Sequence, residues 1–414
     1  MLVGQRRWLV LVTLFVTLFT VLGATANVIP VFLTPLMKLY GWSHARISAF
    51  PTIFSLMLGL AAPLVGWLLD RIDARIVMPA GTVLVVIGLV CASYSHTFWP
   101  MFIAFVFLGG GACAAAVVPG SMVAANWFSD RRGLAIGVSI AGMGVSGVVM
   151  PLVATDLIAR LGVSGTFLAL AAPLVIIVLP LLLAVIRTRP QGADSVSVAE
   201  DLKTLPGLEV GPALRTPTFW LIAFVQAFAS AGIIATFYHM INFLIGAGYS
   251  PRAAALVLGT QAAVVVPGFI LLGALADKFT ARRIYPFALG FLAIGNLFLL
   301  GAATPQYRFY LAGFILLFGF NGGTTTSLTP TLLVESLGLR RFGTLWGLVG
   351  LASTVGLALG PMVIGRIYDV TGSYTIGFEL SSLMIFICGL VALAISPAEG
   401  IETASAPAIR AVGH

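Results

Sequence analysis

The chain has 414 residues, of which 59% are hydrophobic and only 9% charged, and its mean hydropathy is +1.08. Soluble domains carry roughly a quarter charged residues, and so few charges cannot cover a water-soluble body of this size. The net charge of +8 is spread in pairs over many short loops, which excludes the single basic patch of a nucleic-acid-binding protein.

In chain order, twelve apolar segments approach the roughly 20 residues that cross a bilayer. They run about 8–33, 46–69, 75–95, 98–122, 134–158, 163–186, 218–245, 252–276, 282–303, 307–331, 342–366 and 373–396. The first follows Arg6-Arg7, and Ala24-Thr25-Ala26 imitates a signal-peptide cleavage site. The apolar run continues to Leu33, so it reads as a retained span. Between the sixth and seventh segments, 187–217 holds Pro190, Asp194, Glu200, Asp201, Lys203 and Pro206 without an apolar period and reads as a linker. The expected organisation is an N-terminal six-helix bundle over 1–186, a cytoplasmic linker over 187–217, and a C-terminal six-helix bundle with a short cytoplasmic tail over 218–414. Sixteen basic residues fall on the side of the N-terminus and six on the other, so both termini are expected in the cytoplasm. A bacterial inner (plasma) membrane is the expected setting. Cys91, Cys113 and Cys388 lie inside apolar spans without metal-ligand spacing or a disulfide framework, as small packing residues do.

The chain repeats itself across its midpoint. Gly66-Trp-Leu-Leu-Asp70-Arg71 with Arg75 recurs 207 residues later as Gly273-Ala-Leu-Ala-Asp277-Lys278 with Arg282 and Arg283. Arg131-Arg132 and Gly137 return in the same order as Arg340-Arg341 and Gly347. Two charged motifs recurring in register mark a duplicated unit, and two related halves are how secondary transporters build a site that faces either side. An acidic residue at a helix end with arginines beside it can form a charge-assisted clasp that breaks when that face opens. The gating candidates are therefore Asp70, Arg71, Arg75, Arg131, Arg132, Asp277 and Lys278. The alternative is that these charges only anchor helix ends at the headgroups.

Gly133-x-x-x-Gly137, Gly343-x-x-x-Gly347 and Gly356-x-x-x-Gly360 are small-residue pairs that let helices approach closely. Gly142-x-Gly144-x-x-Gly147 matches a dinucleotide fingerprint but lies in an apolar span without a βαβ unit, so a nucleotide reading fails. No phosphate-binding loop is present, no cofactor or metal is expected, and a gradient must drive any transport. Polar residues on one face of a span suggest a lumen. The first segment aligns Thr13, Thr17, Thr20, Ala24, Asn27 and Thr34, the seventh Gly232, Thr236, His239, Asn242 and Gly246, and the tenth Asn321, Thr324, Thr325, Thr331 and Glu335, while the eighth adds Gln261. The substrate-binding candidates are Thr20, Asn27, His239, Asn242, Gln261, Asn321 and Thr325. Threonines bonding their own helix are the alternative for each Thr. His239 can bind a carboxylate when charged and release it once neutral, since an imidazole changes charge near physiological pH.

The Gly-x-x-x-Asp-Arg/Lys loops resemble those of the major facilitator superfamily. Trp127-Phe128-x-x-Arg131-Arg132-x-Leu134-Ala135-x-Gly137 with Ala141-Gly142, Leu214-Arg215-Thr216-Pro217-x-Phe219-Trp220, and Gly360-Pro361, Gly365, Asp369 and Thr371-Gly372-Ser373-Tyr374 resemble its monocarboxylate transporter-like and oxalate:formate exchanger-like branch. The resemblance implies an all-α membrane protein with twelve transmembrane helices in two pseudo-symmetric six-helix bundles, with helices 1, 4, 7 and 10 lining the cavity. It implies a monomeric secondary active transporter, not an enzyme, that carries a small organic acid with protons by alternating access. One departure stands out. The branch places an arginine in helix 8, eight residues before the loop acid, where it pairs with the substrate carboxylate; here that position is Phe269. A dicarboxylate is then disfavoured and a partly apolar acid expected. The alternatives are a proton-driven exporter of an amphipathic metabolite or drug, and a non-transporting receptor on the same fold.

Overall fold

Polar side chains open several of the spans. Ser43, Asp73, Thr216 and Ser250 each accept a hydrogen bond from a backbone N–H two or three residues on, which satisfies a donor that the first helical turn otherwise leaves orphaned. Pro217 and Pro251 follow two of these caps, where a missing N–H costs nothing.

The computed structural model describes residues 3–188, 205–303 and 308–398. Among them, 11 continuous helical stretches are long and apolar enough to cross a membrane. One of these, Arg132–Val185, is 54 residues long and breaks at Gly162, whose φ of 70° is open chiefly to glycine; it makes two spans. The twelve are α1 (Arg6–Tyr40), α2 (His44–Leu69), α3 (Ala74–Tyr94), α4 (Phe98–Trp127), α5 (132–161), α6 (163–185), α7 (Pro217–Gly246), α8 (Pro251–Phe279), α9 (Ala281–Gly301), α10 (Phe309–Leu337), α11 (Phe342–Thr371) and α12 (Thr375–Leu393).

The count agrees with the sequence reading, while several edges move outward. α1 continues to Tyr40, past the expected end at 33, because a left-handed Gly41 stops it rather than the first polar residue. The Ala24-Thr25-Ala26 stretch sits at a turn inside α1, over 25–28. Part of the expected linker, 189–204, lies outside the described residues, as do Arg189, Lys203 and Arg410.

Within the first six helices, α1 packs on α5 and α2 and α3 on α4; within the last six, α7 packs on α11 and α9 on α12. The two sets meet along two seams, α5 on α8 and α2 on α11. Both seams are built on glycine. A methyl on Gly133 would collide with the carbonyl oxygen of Gly273, and one on Gly273 with that of Gly133. Further along, Gly137 lies against the Phe269 carbonyl. On the other seam Gly66 lies against the Gly343 carbonyl, Gly347 against that of Ala62, and Gly59 against the Thr354 side chain. These contacts occupy the half of each helix nearest the face that carries the duplicated loops, called here the basic face. Beyond Thr354, α11 turns its glycines to its own half, with Gly356 and Gly360 on the carbonyls of Ala227 and Ala231. The close glycine contacts between the halves thus concentrate at the basic face.

In lipid, close packing rather than water exclusion holds helices together, and an extra methyl in a filled contact costs about 1–3 kcal/mol. Gly273→Ala or Gly66→Ala should therefore pry the basic face open while leaving each half folded. Single cysteines placed on that face should become more reactive to a membrane-impermeant thiol reagent, and unchanged labelling would count against the seam.

Candidate functional site

The closed face is fastened by two carboxylates, each reaching into the opposite half. Asp70, at the end of α2, accepts the backbone N–H groups of Gly343 at 3.1 Å and Thr344 at 3.0 Å, and the Thr344 hydroxyl at 2.5 Å. Asp277, near the end of α8, accepts those of Gly133 at 2.6 Å and Leu134 at 2.8 Å. The receiving groups are the first turns of α11 and α5. Each acid thus sits on a helix N-terminus, where unpaired N–H donors and the helix dipole favour negative charge. The absence of side chains at Gly343 and Gly133 lets the carboxylates come this close, since a methyl at either would meet the acid's own oxygen within 3.0 Å.

The neighbouring cations act otherwise than as the clasp's direct partners. Arg71 lies over the Trp67 ring at 3.7 Å, a cation–π contact. Arg75 donates to the Leu183 carbonyl and Arg132 to that of Ala125, and Lys278 lies 5.2 Å from the Phe279 ring centre. Their charges still matter at longer range: Arg131 attracts Asp277, Arg341 attracts Asp70, and Arg132 feels both Asp277 and Glu335. Glu335 itself accepts the N–H groups of Ala281 and Arg282, so it caps α9.

The residues expected in a lumen divide by their partners. Asn27 donates to the Ser146 hydroxyl at 2.7 Å and the Met143 carbonyl at 3.2 Å, tying the turn of α1 to α5. Thr13 and Thr17 donate to carbonyls four residues back. Thr20 is buried, and Asn242 is exposed near the end of α7 away from the basic face. Asn321 donates to Leu317 of its own helix. Gln261 is 4% exposed, and its amide oxygen is buried without a partner.

The expected stripe on α7 packs against other helices. Gly232 lies against Ile385 and Met384 of α12, and Thr236 bonds the Asn296 amide of α9 at 3.1 Å. His239 has Nε2 at 3.0 Å from the Pro361 carbonyl of α11 and its ring 5.3 Å from that of Tyr374. A carbonyl can only accept, so Nε2 carries the proton; Nδ1 is buried without a partner.

A polar network on the other side of α7 was not anticipated. Thr329 of α10 donates to Gln226 Oε1 at 2.7 Å and pairs with the Tyr285 hydroxyl of α9 at 2.9 Å. Gln226 Nε2 reaches Ser353 of α11 at 3.3 Å, and Ser353 reaches Ser230 at 3.0 Å. The available signal was a glutamine inside an apolar span, four residues before a serine. Buried polar groups in lipid find partners in neighbouring helices, and this network joins four of them.

Phe269 stands at the depth where the α5–α8 seam ends. Its ring is 2% exposed and fills a slot between Gly144 of α5 and Gly323 of α10. Position 269 therefore brings an apolar plug across the two halves.

Comparison with known proteins agrees with this architecture. The family model described as "Major Facilitator Superfamily" matches residues 14–361 and 243–411. The chain belongs to that superfamily. It is 27% identical to an MFS-type transporter of Gibberella moniliformis, covering 81% of this chain and 79% of the relative. It is 23% identical to monocarboxylate transporter 12 of Xenopus laevis, over 94% of this chain and 88% of the relative. Its fold matches FucP, a superfamily transporter solved in the outward conformation, with a TM-score of 0.76 at 13% identity, over 93% and 98% of the two chains. It also matches the human organic anion transporter MFSD10 with a TM-score of 0.75 at 16% identity, over 93% and 99%.

For this member of the superfamily the clasp makes a quantitative prediction. Hydrogen bonds to a charged acceptor contribute about 1.5–3 kcal/mol each, and orphaned donors cost a similar amount. Asp70→Ala leaves three donors without an acceptor, which outweighs the relief of desolvating the carboxylate. It should shift the closed–open balance of the basic face by at least about 2 kcal/mol, roughly thirtyfold. Burial raises the Asp70 pKa above the ordinary carboxylate value, against the lowering effect of its Thr344 and Gly343 hydrogen bonds and of Arg341. A pKa raised in the closed state means that closure is favoured below the ordinary carboxylate value, near 4, and loses that contribution as pH rises through the raised one. Cysteine labelling of the basic face should therefore fall on acidification in the parent chain and lose this component in Asp70→Ala.

Proposed function

We propose that the chain is a secondary active transporter that carries a small, partly apolar monocarboxylic acid together with a proton by alternating access. The observation that carries this reading is the pair of pseudo-equivalent clasps. Two halves held together at one face by acids on helix ends fit one end state of a rocking carrier. Placing the basic face in the cytoplasm by the excess of basic residues makes this the outward-open state, with both termini and the linker inside and each half, 1–186 and 218–414, moving as a bundle. The relatives named as monocarboxylate transporters support the substrate class. Those relatives come from vertebrates and the MFS-type relative from a fungus, and we extend the setting to a bacterial inner membrane on composition and topology alone.

The proton is assigned to His239, whose Nδ1 is free to take one, and the binding surface to Thr20, Asn27, Asn242, Gln261, Asn321 and Thr325. Phe269 favours a second reading, export of an amphipathic metabolite against protons, because no cation stands at that depth of α8. The chain would act as a monomer.

The test is flux in proteoliposomes with a panel of labelled organic acids, with and without a pH gradient. Uptake of a monocarboxylate stimulated by an inward proton gradient is expected; movement of amphipathic cations or neutral drugs instead would transfer the chain to the second reading. His239→Gln should keep folding and remove the stimulation of uptake by an inward proton gradient. A parent-like response would leave His239 a packing residue between α7 and α11.

A further inference from the structure

The clasp at Asp70 has an acceptor position left over. An ionised carboxylate offers about four lone-pair sites. Asp70 fills one on Oδ1 with the Gly343 N–H and two on Oδ2 with the Thr344 N–H and hydroxyl, which leaves a site on Oδ1. The residue is 1% exposed, so water reaches it poorly. A cation at that site would be held by a strong, charge-assisted bond.

Two arginines stand around it. A cavity of about 300 Å³ at the basic face is lined by Trp67, Asp70 and Arg71 of the first half, Arg341 and Thr344 of the second, and Glu209 of the connecting segment. Arg71 lies over the Trp67 ring at 3.7 Å and belongs to the same half as Asp70, so a bond between them would not cross the seam. Arg341 belongs to the opposite half and attracts Asp70 through space. Its Nε, however, donates to Glu209 Oε2 at 2.7 Å, and Arg340 lies 3.1 Å from Glu209 Oε1.

Glu209 travels with the second half. The Leu208 N–H donates to the Leu337 carbonyl at 3.0 Å and the Leu339 N–H to that of Pro206 at 2.9 Å. A short helix, Val210–Arg215, then leads directly into α7. Gly207 and Gly338 permit this pairing: their φ angles are 145° and 84°, and a methyl on Gly338 would collide with the Gly207 Cα. The Glu209–Arg341 bond therefore lies within one half and persists whether the basic face is closed or open. It favours neither state by itself. What it controls is the cation beside Asp70 that can reach across the seam.

We propose that Glu209 is a positioning residue that withholds Arg341 from Asp70, so that the connecting segment sets how firmly the α2–α11 seam closes. With Glu209 engaged, Asp70 is fastened by two main-chain donors and one hydroxyl, and the clasp can break in each cycle. Without the Glu209 charge, Arg341 can swing through the shared cavity to the remaining site on Oδ1 and add a guanidinium–carboxylate bond across the seam. That bond exists only in the closed state. The loss of the partly exposed Glu209 pairs is common to both states, and such pairs are weak. The closed state is therefore the one that gains. The inference rests on the alternating-access reading above and specifies how the strength of the gate is set.

The test uses the full-length protein in lipid nanodiscs, with a single cysteine in the α5–α8 seam, remote from Glu209, and a membrane-impermeant thiol reagent. The labelling rate follows the fraction of molecules open at the basic face. Glu209→Gln should slow labelling about tenfold, the effect of one hydrogen bond between charged groups on a two-state balance. Glu209→Ala, which removes the amide as well, should act in the same direction. In an Arg341→Gln background, and equally in Asp70→Ala, Glu209→Gln should leave the rate where it was. A segment that merely held the loop in place would do the opposite: its loss would speed labelling. Faster or unchanged labelling in both Glu209 variants overturns the proposal. Slower labelling that persists without Arg341 also overturns it, since Arg340 or the loop would then be responsible. If labelling responds as expected while no organic acid moves in liposomes, the withheld arginine stands and the transport reading falls. If acids move and labelling does not respond, the reverse holds.

Discussion

Everything above the basic face depends on carboxylates seated on helix starts that belong to the opposite half. A side-chain ion pair can be re-formed with many partners as loops shift. Asp70 and Asp277 instead accept from main-chain N–H groups at the beginnings of α11 and α5, so the contact fixes whole helices. Because the bonds are to backbone, they are available only at one register and only where glycine lets the chains touch. The interface is strong when aligned and empty when displaced by a turn, which is the behaviour a two-state gate needs.

The sequence made the fold readable for a physical reason. Lipid demands long apolar segments with satisfied backbones, and that demand is visible in composition and spacing before any coordinates. The duplicated Gly-x-x-x-Asp motifs were equally visible. What the acids touch was not, because the donors are backbone groups, and backbone leaves no signature in residue identity. The expected arginine partners Arg71 and Arg75 are occupied by Trp67 and the Leu183 carbonyl.

Polar stripes proved a weaker guide than charge. A period of three to four residues says that a helix has a polar face, but not whether that face meets a lumen or another helix. On α7 it meets α12 and α9 at Gly232 and Thr236, while Gln226 and Ser230, outside the stripe, carry the network to α10 and α11. Threonines pose the same ambiguity, and only the atoms resolve it: Thr17 bonds its own helix, whereas Thr324 bonds nothing.

The connection between the halves is anchored on both sides. On one side Trp127 donates to the Arg187 carbonyl and the Thr188 hydroxyl accepts the Ala74 N–H, so the N-terminal bundle holds its end of the connection. On the other, Leu208 and Leu339 exchange backbone bonds with Leu337 and Pro206, and Glu209 pairs with Arg340 at 3.1 Å and Arg341 at 2.7 Å. Each bundle thus holds its own end of the connection, and the halves recognise each other through their seams. The two bundles made as separate polypeptides would meet again through α5–α8 and α2–α11 and rock as one machine.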